Sequence, residues 1–162
     1  MEKKDIKAKE FEGWAKNYKK YLFENIDLNS TISLDECDKD LQLLFKKFIS
    51  GKVKKEEFRS IFRKLKNSAL IQIIKMKNIK AEEILKTAEN IGIRKNSDYG
   101  SDNILKYGII GIIVRVGDKI ARYTNLNNNN KQKVQDEKIE DTLVDIINYA
   151  TYGEMLTDNV WS

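Results

Sequence analysis

Three acidic residues recur at intervals of four near the end of the chain. Glu137, Asp141 and Asp145 are followed three positions later by Asn148, and at about 100° per residue a helix places all four side chains in one stripe. Acidic helix faces usually alternate with lysine, but this stripe contains none, so its carboxylates repel one another unless a cation lies between them. Oxygen ligands of this kind favour Mg²⁺, with Mn²⁺ as an alternative.

A second polar stripe lies in the segment before it. Arg115, Asp118 and Arg122 are spaced at i, i+3 and i+7, and Lys119 lies beside them. Two cations around one acid are typical of an anion site. If the two helices pack antiparallel, Asp118 completes the metal site while the cations hold phosphate oxygens. A lattice of salt bridges between neighbouring helices is the alternative explanation.

The segment from Arg94 to Gly100 is predicted to be a loop after a helix that ends at Gly92. Four of its side chains can contact a nucleotide: Lys95, Asn96, Asp98 and Tyr99. The ammonium group suits a phosphate, the amide suits a base or sugar, and the ring can stack. By itself, such a segment is also typical of an ordinary helix connection.

The elements that position these residues are predicted to be helices, because the chain has no proline and only 8 glycines among its 162 residues. Apolar periodicity predicts helices over residues 5–24, from Ser33 toward Gly51, from Lys54 onward, over 80–91, from Asn103 to Thr124 and from Asp136 to Leu156. The polar stretch Asn125–Gln135 is predicted to be an exposed, mobile connection. The predicted fold class is all-α.

Several apolar residues are expected in the core. The aromatic stripe of the first helix, which includes Trp14 and Tyr18, is predicted to be buried, as is the apolar run over residues 70–76. Trp161 is expected to pack back onto the body of the protein or onto a partner. Three glycines within one predicted helix suggest close packing of another helix or of a ligand; they are Gly108, Gly111 and Gly117.

The charge is divided unevenly along the chain. Residues 1–95 contain 23 lysines and arginines against 15 acids, whereas residues 96–162 contain 7 against 10. A basic half attracts nucleic acid or another polyanion, although lysine-rich helices are also simply soluble. The single cysteine, Cys37, and the absence of histidine exclude a Cys-His nucleophile and a zinc site. Because no apolar segment is long enough to span a membrane and no export signal is visible, a cytoplasmic protein is expected.

Three strings in order resemble the phage and bacterial family called nucleotide modification associated domain 1. They are KNSDYG (95–100), VRVGDKIAR (114–122) and VQDEKIEDTLVDIINYA (134–150), and the resemblance covers roughly residues 80–155. We therefore divide the chain into an N-terminal basic helical region, residues 1–78, and a C-terminal domain, residues 79–162.

The resemblance implies an all-α domain linked to nucleotide metabolism or DNA base modification. The family looks like a relative of the MazG-like and dimeric dUTPase-like nucleoside triphosphate pyrophosphohydrolases, in which acids on two adjacent helices bind Mg²⁺ and water attacks a phosphate. Those enzymes usually carry two glutamates three apart on the first of these helices, whereas this chain has only Asp118 there. The resemblance also implies a homodimer.

The leading hypothesis is Mg²⁺-dependent hydrolysis of a nucleoside triphosphate to the monophosphate and pyrophosphate. Glu137, Asp141 and Asp145 would hold the metal, with Asp118 and Glu140 as candidate catalytic groups. The substrate would be bound by eight residues: Lys95, Asn96, Asp98, Tyr99, Arg115, Lys119, Arg122 and Asn148. The rival is a non-catalytic phage protein, active in the host cytoplasm, that captures a nucleotide, a host defence protein or nucleic acid through its basic N-terminal half. A purely structural helical adaptor is a third reading.

Overall fold

A computed structural model describes residues 2–128 and 132–162, apart from the side chains of residues 132–135. Its six helices are α1 (Lys3–Phe23), α2 (Leu34–Ile49), α3 (Lys55–Lys77), α4 (Ala81–Tyr99), α5 (Asp102–Asn128) and α6 (Gln132–Thr157). No strand occurs in this part of the chain, and the all-α prediction is confirmed. No helix within it is long and apolar enough to cross a membrane.

Helix α6 lies at the centre of the bundle, with its most extensive contacts to α3 and α5 and further contacts to α1 and α4. From Ile139 onward most of its side chains are buried on all sides, as expected for a helix surrounded by others. Helices from both predicted regions contribute to one continuous buried core. The division of the chain near residue 78 stays a prediction.

The aromatic stripe of α1 is buried, as predicted. The rings of Trp14 and Tyr18 stack with their centroids 5.0 Å apart, and Trp161 packs 5.9 Å from Trp14. Both indoles are almost fully covered, Trp14 being 1% and Trp161 8% exposed. The segment after α6 is thereby held against α1, which confirms that Trp161 returns to the body of the protein.

Several helix boundaries agree with the sequence signals. The Ser33 hydroxyl accepts a hydrogen bond from the Glu36 amide at 3.2 Å and begins α2. Helix α3 includes the apolar run over residues 70–76, of which Leu70 and Ile73 are fully buried. Asn78 then ends α3 in the left-handed conformation, with φ of 51°.

The predicted end of α4 at Gly92, and the loop after it, are wrong. Helix α4 continues through Gly92 to Tyr99 and ends at Gly100, whose φ is +72°. A Cβ atom added at Gly92 would lie 2.3 Å from the hydroxyl oxygen of Tyr18. The glycine therefore allows α1 to approach α4 closely, and the chain needs no left-handed residue at this point.

Helix α5 uses its glycines differently from the prediction. Gly108 kinks the helix with φ of 57° and ψ of −146°, a conformation accessible essentially to glycine alone. A Cβ at Gly111 would meet only Tyr107 of the same helix, and at Gly117 it would meet nothing within 4 Å. Close packing of a second helix therefore explains none of the three, and close packing of a ligand stays a prediction.

The predicted connection over residues 125–135 is helical wherever its backbone is described. Helix α5 continues to Asn128 and α6 begins at Gln132, while residues 129–131 lie outside the described part of the chain. Leu126 packs against the core, so a tertiary contact continues the helix beyond the point at which the asparagine-rich composition predicts its end.

A buried charge network joins the middle of α3 to the ends of α1 and α6. The Lys66 ammonium lies 3.1 Å from a carboxylate oxygen of Glu154, and these side chains are 0% and 1% exposed. Lys66 also donates hydrogen bonds to the carbonyl oxygens of Tyr21 and Glu24 at 2.8 and 3.0 Å. Burial lowers the pKa of Lys66 and raises the pKa of Glu154, although each charge opposes the shift of the other.

Next to this network, Asp158 is expected to make the fold sensitive to acid. It accepts hydrogen bonds from the Arg59 guanidinium at 2.6 Å and from the Tyr21 hydroxyl at 2.8 Å. Burial raises the pKa of Asp158, but these hydrogen bonds outweigh burial and hold the pKa below its usual value. Such a carboxyl group stabilises the fold above its unfolded-state pKa, and this stabilisation is lost as the pH falls through the lower folded-state pKa.

Urea unfolding of wild type and Asp158→Asn at pH 7 and at about pH 3, below the ordinary pKa of aspartate, measures this contribution. The variant should have a lower free energy of unfolding than wild type at pH 7. The difference between the two proteins should be smaller at the lower pH. An equal gap at both values would show that Asp158 does not contribute through its ionisation.

Candidate functional site

A cleft of about 430 Å³ opens between the end of α4, the first half of α5 and the second half of α6. Six of the residues predicted from sequence line it: Lys95, Asn96, Tyr99, Arg115, Asp145 and Asn148. They come from all three predicted motifs, which are distant in sequence. The structure thus brings together six of the thirteen predicted site residues in one cleft.

Helical geometry explains why these side chains face the same space. Lys95, Asn96 and Tyr99 lie within one turn of α4, and spacings of three and four residues place side chains on one face of a helix. Asp145 and Asn148 share a face of α6 for the same reason. This segment of α4 therefore forms a helical wall of the cleft, whereas the sequence predicted a loop.

Asp145 is held between two ammonium groups from different helices. One carboxylate oxygen lies 3.0 Å from Lys95 Nζ on α4, and the other lies 2.7 Å from Lys119 Nζ on α5. The Asp145 side chain is 17% exposed, against 49% for Lys95 and 28% for Lys119. Lys119 is not among the residues that line the cleft, so it reaches the carboxylate from outside the lining.

Arg115 has an aromatic neighbour. Its guanidinium lies 5.8 Å from the ring centre of Tyr149 on α6, a distance typical of a cation–π contact. No carboxylate pairs with Arg115 among the side chains that the structure describes. Its charge therefore remains available to an anion in the cleft.

Asn148 links the cleft to the protein core. Its side chain is 5% exposed; the amide donates to the carbonyl oxygen of Ala88 at 3.1 Å, and its oxygen accepts from the Tyr18 hydroxyl at 2.6 Å. Burial strongly raises the pKa of Tyr18, so this hydroxyl stays protonated as a donor. Asn148 thereby joins α6 to α1 and α4, and its contact with a ligand stays a prediction.

The other predicted binding residues, and the acids Glu137 and Asp141 of the acidic stripe, lie outside the cleft lining. Asp98, Asp118 and Arg122 are exposed, and no ion pair to them occurs among the described side chains. Glu137 and Asp141 are exposed on α6, whereas Glu140 pairs with Lys77 at 2.7 Å.

The acidic stripe does not gather into a donor cluster. Across residues 2–128 and 132–162, no group of three or more acidic, histidine or cysteine side chains is placed to hold a metal ion. Both oxygens of Asp145 already face ammonium groups. As arranged, these side chains do not fit a magnesium site, and the Mg²⁺ or Mn²⁺ expectation stays a prediction.

The sequence analysis missed several residues of the cleft. Asn103 and Ile104, at the start of α5, and Tyr149 and Tyr152, on α6, also line it. The two tyrosines lie four and seven positions after Asp145, on the same helix face. Extending the acidic stripe toward its aromatic neighbours would have identified them, whereas no local signal identifies Asn103.

All the described residues that line this cleft fall between positions 95 and 155. Residues 95–155 match the family nucleotide modification associated domain 1. The match begins at Lys95 and includes α5 and α6 as far as Met155, so the matched segment carries the whole lining. The Tyr18 hydroxyl of α1 contacts this segment through Asn148. No curated protein and no solved structure matches the chain. The predicted resemblance is thus confirmed over residues 95–155, and the relation to MazG-like enzymes stays a prediction.

Proposed function

We propose that the chain binds a nucleotide in the cleft between α4, α5 and α6. The observation that carries the proposal is the convergence of Lys95, Arg115 and three tyrosine rings in one cavity, within the segment that matches a nucleotide-associated family. Phosphate groups would lie near the two cations, and the base would lie near an aromatic ring.

Charge and aromatic character both support this ligand class. The lining contains two cations against one acid, Asp145, so an anion is favoured over a neutral compound. Tyr99 is 80% exposed at the cleft, and stacking on a base would cover apolar area that now faces water. The cavity volume of about 430 Å³ lies within the range of roughly 300–1,000 Å³ typical of small-molecule sites.

Replacing Arg115 with methionine is expected to weaken nucleotide binding by roughly ten- to a hundredfold, because a charge-assisted hydrogen bond to phosphate contributes about 1.5–3 kcal/mol. Arg122→Met is the matched control, since Arg122 lies on the same helix and is exposed but does not line the cleft. Isothermal titration calorimetry with a panel of ribo- and deoxyribonucleotides measures both variants. Equal losses in the two variants would indicate non-specific attraction, and the proposal would fail.

Hydrolysis is the enzymatic form of the proposal. Because the acidic stripe does not fit a magnesium site, we derive no catalytic step from a metal. Pyrophosphate release from nucleoside triphosphates in the presence of Mg²⁺ tests the enzyme hypothesis directly, with Asp141→Asn and Asp145→Asn as variants. Release that disappears in both would establish a pyrophosphohydrolase. Binding without release would favour the non-catalytic protein that captures a nucleotide.

A further inference from the structure

Asp145 occupies a position that suits a phosphate group. Its two oxygens each contact one ammonium group, at 3.0 Å from Lys95 Nζ and at 2.7 Å from Lys119 Nζ. Two oxygens of a phosphate group have a similar spacing and prefer the same donors. The carboxylate also lines the cleft. The two lysines are thus already held at the separation that a single anion can bridge.

We propose that the Asp145 carboxylate occupies this anion position when no ligand is bound. A ligand phosphate then displaces the carboxylate from Lys95 and Lys119 and binds both ammonium groups. The inference rests on the proposed function and assigns the phosphate position within it. Phosphate carries more negative charge and more acceptor oxygens than one carboxylate. Both lysines are partly exposed, and a lysine ammonium lies on a flexible four-carbon chain, so these groups can change partner at small cost.

A role of Asp145 in positioning the two lysines would have the opposite effect on affinity. In that case its removal would let the lysines move apart, and phosphate binding would weaken. We expect the repulsion between Asp145 and a phosphate to exceed the affinity that is lost when the two lysines move apart. Two unit charges about 5 Å apart, at an effective dielectric constant between about 20 and 80, change an affinity by a factor between roughly 4 and 300. With salt screening, we expect about tenfold.

The test measures the affinity of inorganic pyrophosphate by calorimetry in a buffer with EDTA, for wild type and Asp145→Asn. The variant should bind pyrophosphate about tenfold more tightly. Asp136→Asn is the matched control, because it removes the same charge from the same helix nine residues, or about 14 Å, away, where the side chain is exposed. This control should change the affinity less than threefold. Adding Lys119→Met to Asp145→Asn should abolish the gain.

Thermal unfolding of each variant verifies that it is folded, and Asp145→Ala replaces Asp145→Asn if the latter is not. Equal or weaker pyrophosphate binding after either substitution would overturn the inference, even if wild type binds nucleotides. Tighter pyrophosphate binding without binding of any nucleotide would refute the proposed function and retain the anion position. If neither wild type nor any variant binds pyrophosphate or a nucleotide, both the proposed function and the anion position are refuted.

Discussion

Replacing Lys66 with methionine is expected to lower the free energy of unfolding by about 3–5 kcal/mol, the range typical of breaking a buried ion pair. The substitution preserves much of the side-chain volume but leaves the Glu154 carboxylate, which is 1% exposed, without its ammonium partner. Arg63 lies 3.8 Å from the other carboxylate oxygen and compensates only in part. The carbonyl oxygens of Tyr21 and Glu24 also lose a donor at the end of α1.

Urea unfolding at neutral pH measures the loss, and Lys77→Met is the matched control. Lys77 pairs with Glu140 at 2.7 Å, but its side chain is 43% exposed, so the control should cost less than about 1 kcal/mol. Adding Glu154→Leu to Lys66→Met removes the uncompensated charge and should restore at least about 2 kcal/mol. If Lys66→Met costs no more than Lys77→Met, the buried pair does not stabilise the fold.

Replacing Gly92 with alanine is expected to destabilise the protein by about 2–3 kcal/mol, although alanine normally favours a helix over glycine by up to about 1 kcal/mol. The added Cβ would lie 2.3 Å from the Tyr18 hydroxyl oxygen and 2.7 Å from the adjacent ring carbon, so the ring must move. That movement weakens the hydrogen bonds by which Tyr18 joins Ala88 and Asn148.

The matched control is Gly117→Ala, because a Cβ at that mid-helix position meets nothing within 4 Å. This variant should become more stable, by up to about 1 kcal/mol. Urea unfolding compares the two variants, which should change in opposite directions. Stabilisation by both would mean that Tyr18 moves at no cost, and the assigned role of Gly92 would then be wrong.

The helices could be predicted from sequence because their signals are local. Apolar periodicity indicates α1 and α6, and Ser33 with Glu36 indicates the start of α2. The end of α4 could not be predicted, since the reason for Gly92 is a tyrosine on another helix. In the same way, Leu126 extends α5 through a contact that composition does not reveal. Tertiary packing overrides local signals at these positions.

The sequence was sufficient to select residues of the candidate site, but not to predict which of their side chains contact one another. The sequence analysis selected Lys95, Lys119 and Asp145, and assigned the lysines to phosphate and the acid to a metal. Their mutual contact depends on how α4, α5 and α6 pack around one another, and no spacing along the chain contains that information. The burial of Lys66 was missed for a related reason: α3 contains several lysines, and the neighbouring sequence does not distinguish the buried one from the exposed ones.

The central position of α6 has a consequence for the synthesis of the protein. The ribosome makes α6 after the four helices that pack around it, and until it emerges the apolar faces of α1, α3 and α5 lack their main partner. Lys66 is likewise made long before Glu154. The bundle therefore closes late, as expected for a fold whose contacts are far apart in sequence. Until α6 has emerged from the ribosome, the nascent chain exposes an incomplete core. This is the stage at which chaperones are needed most.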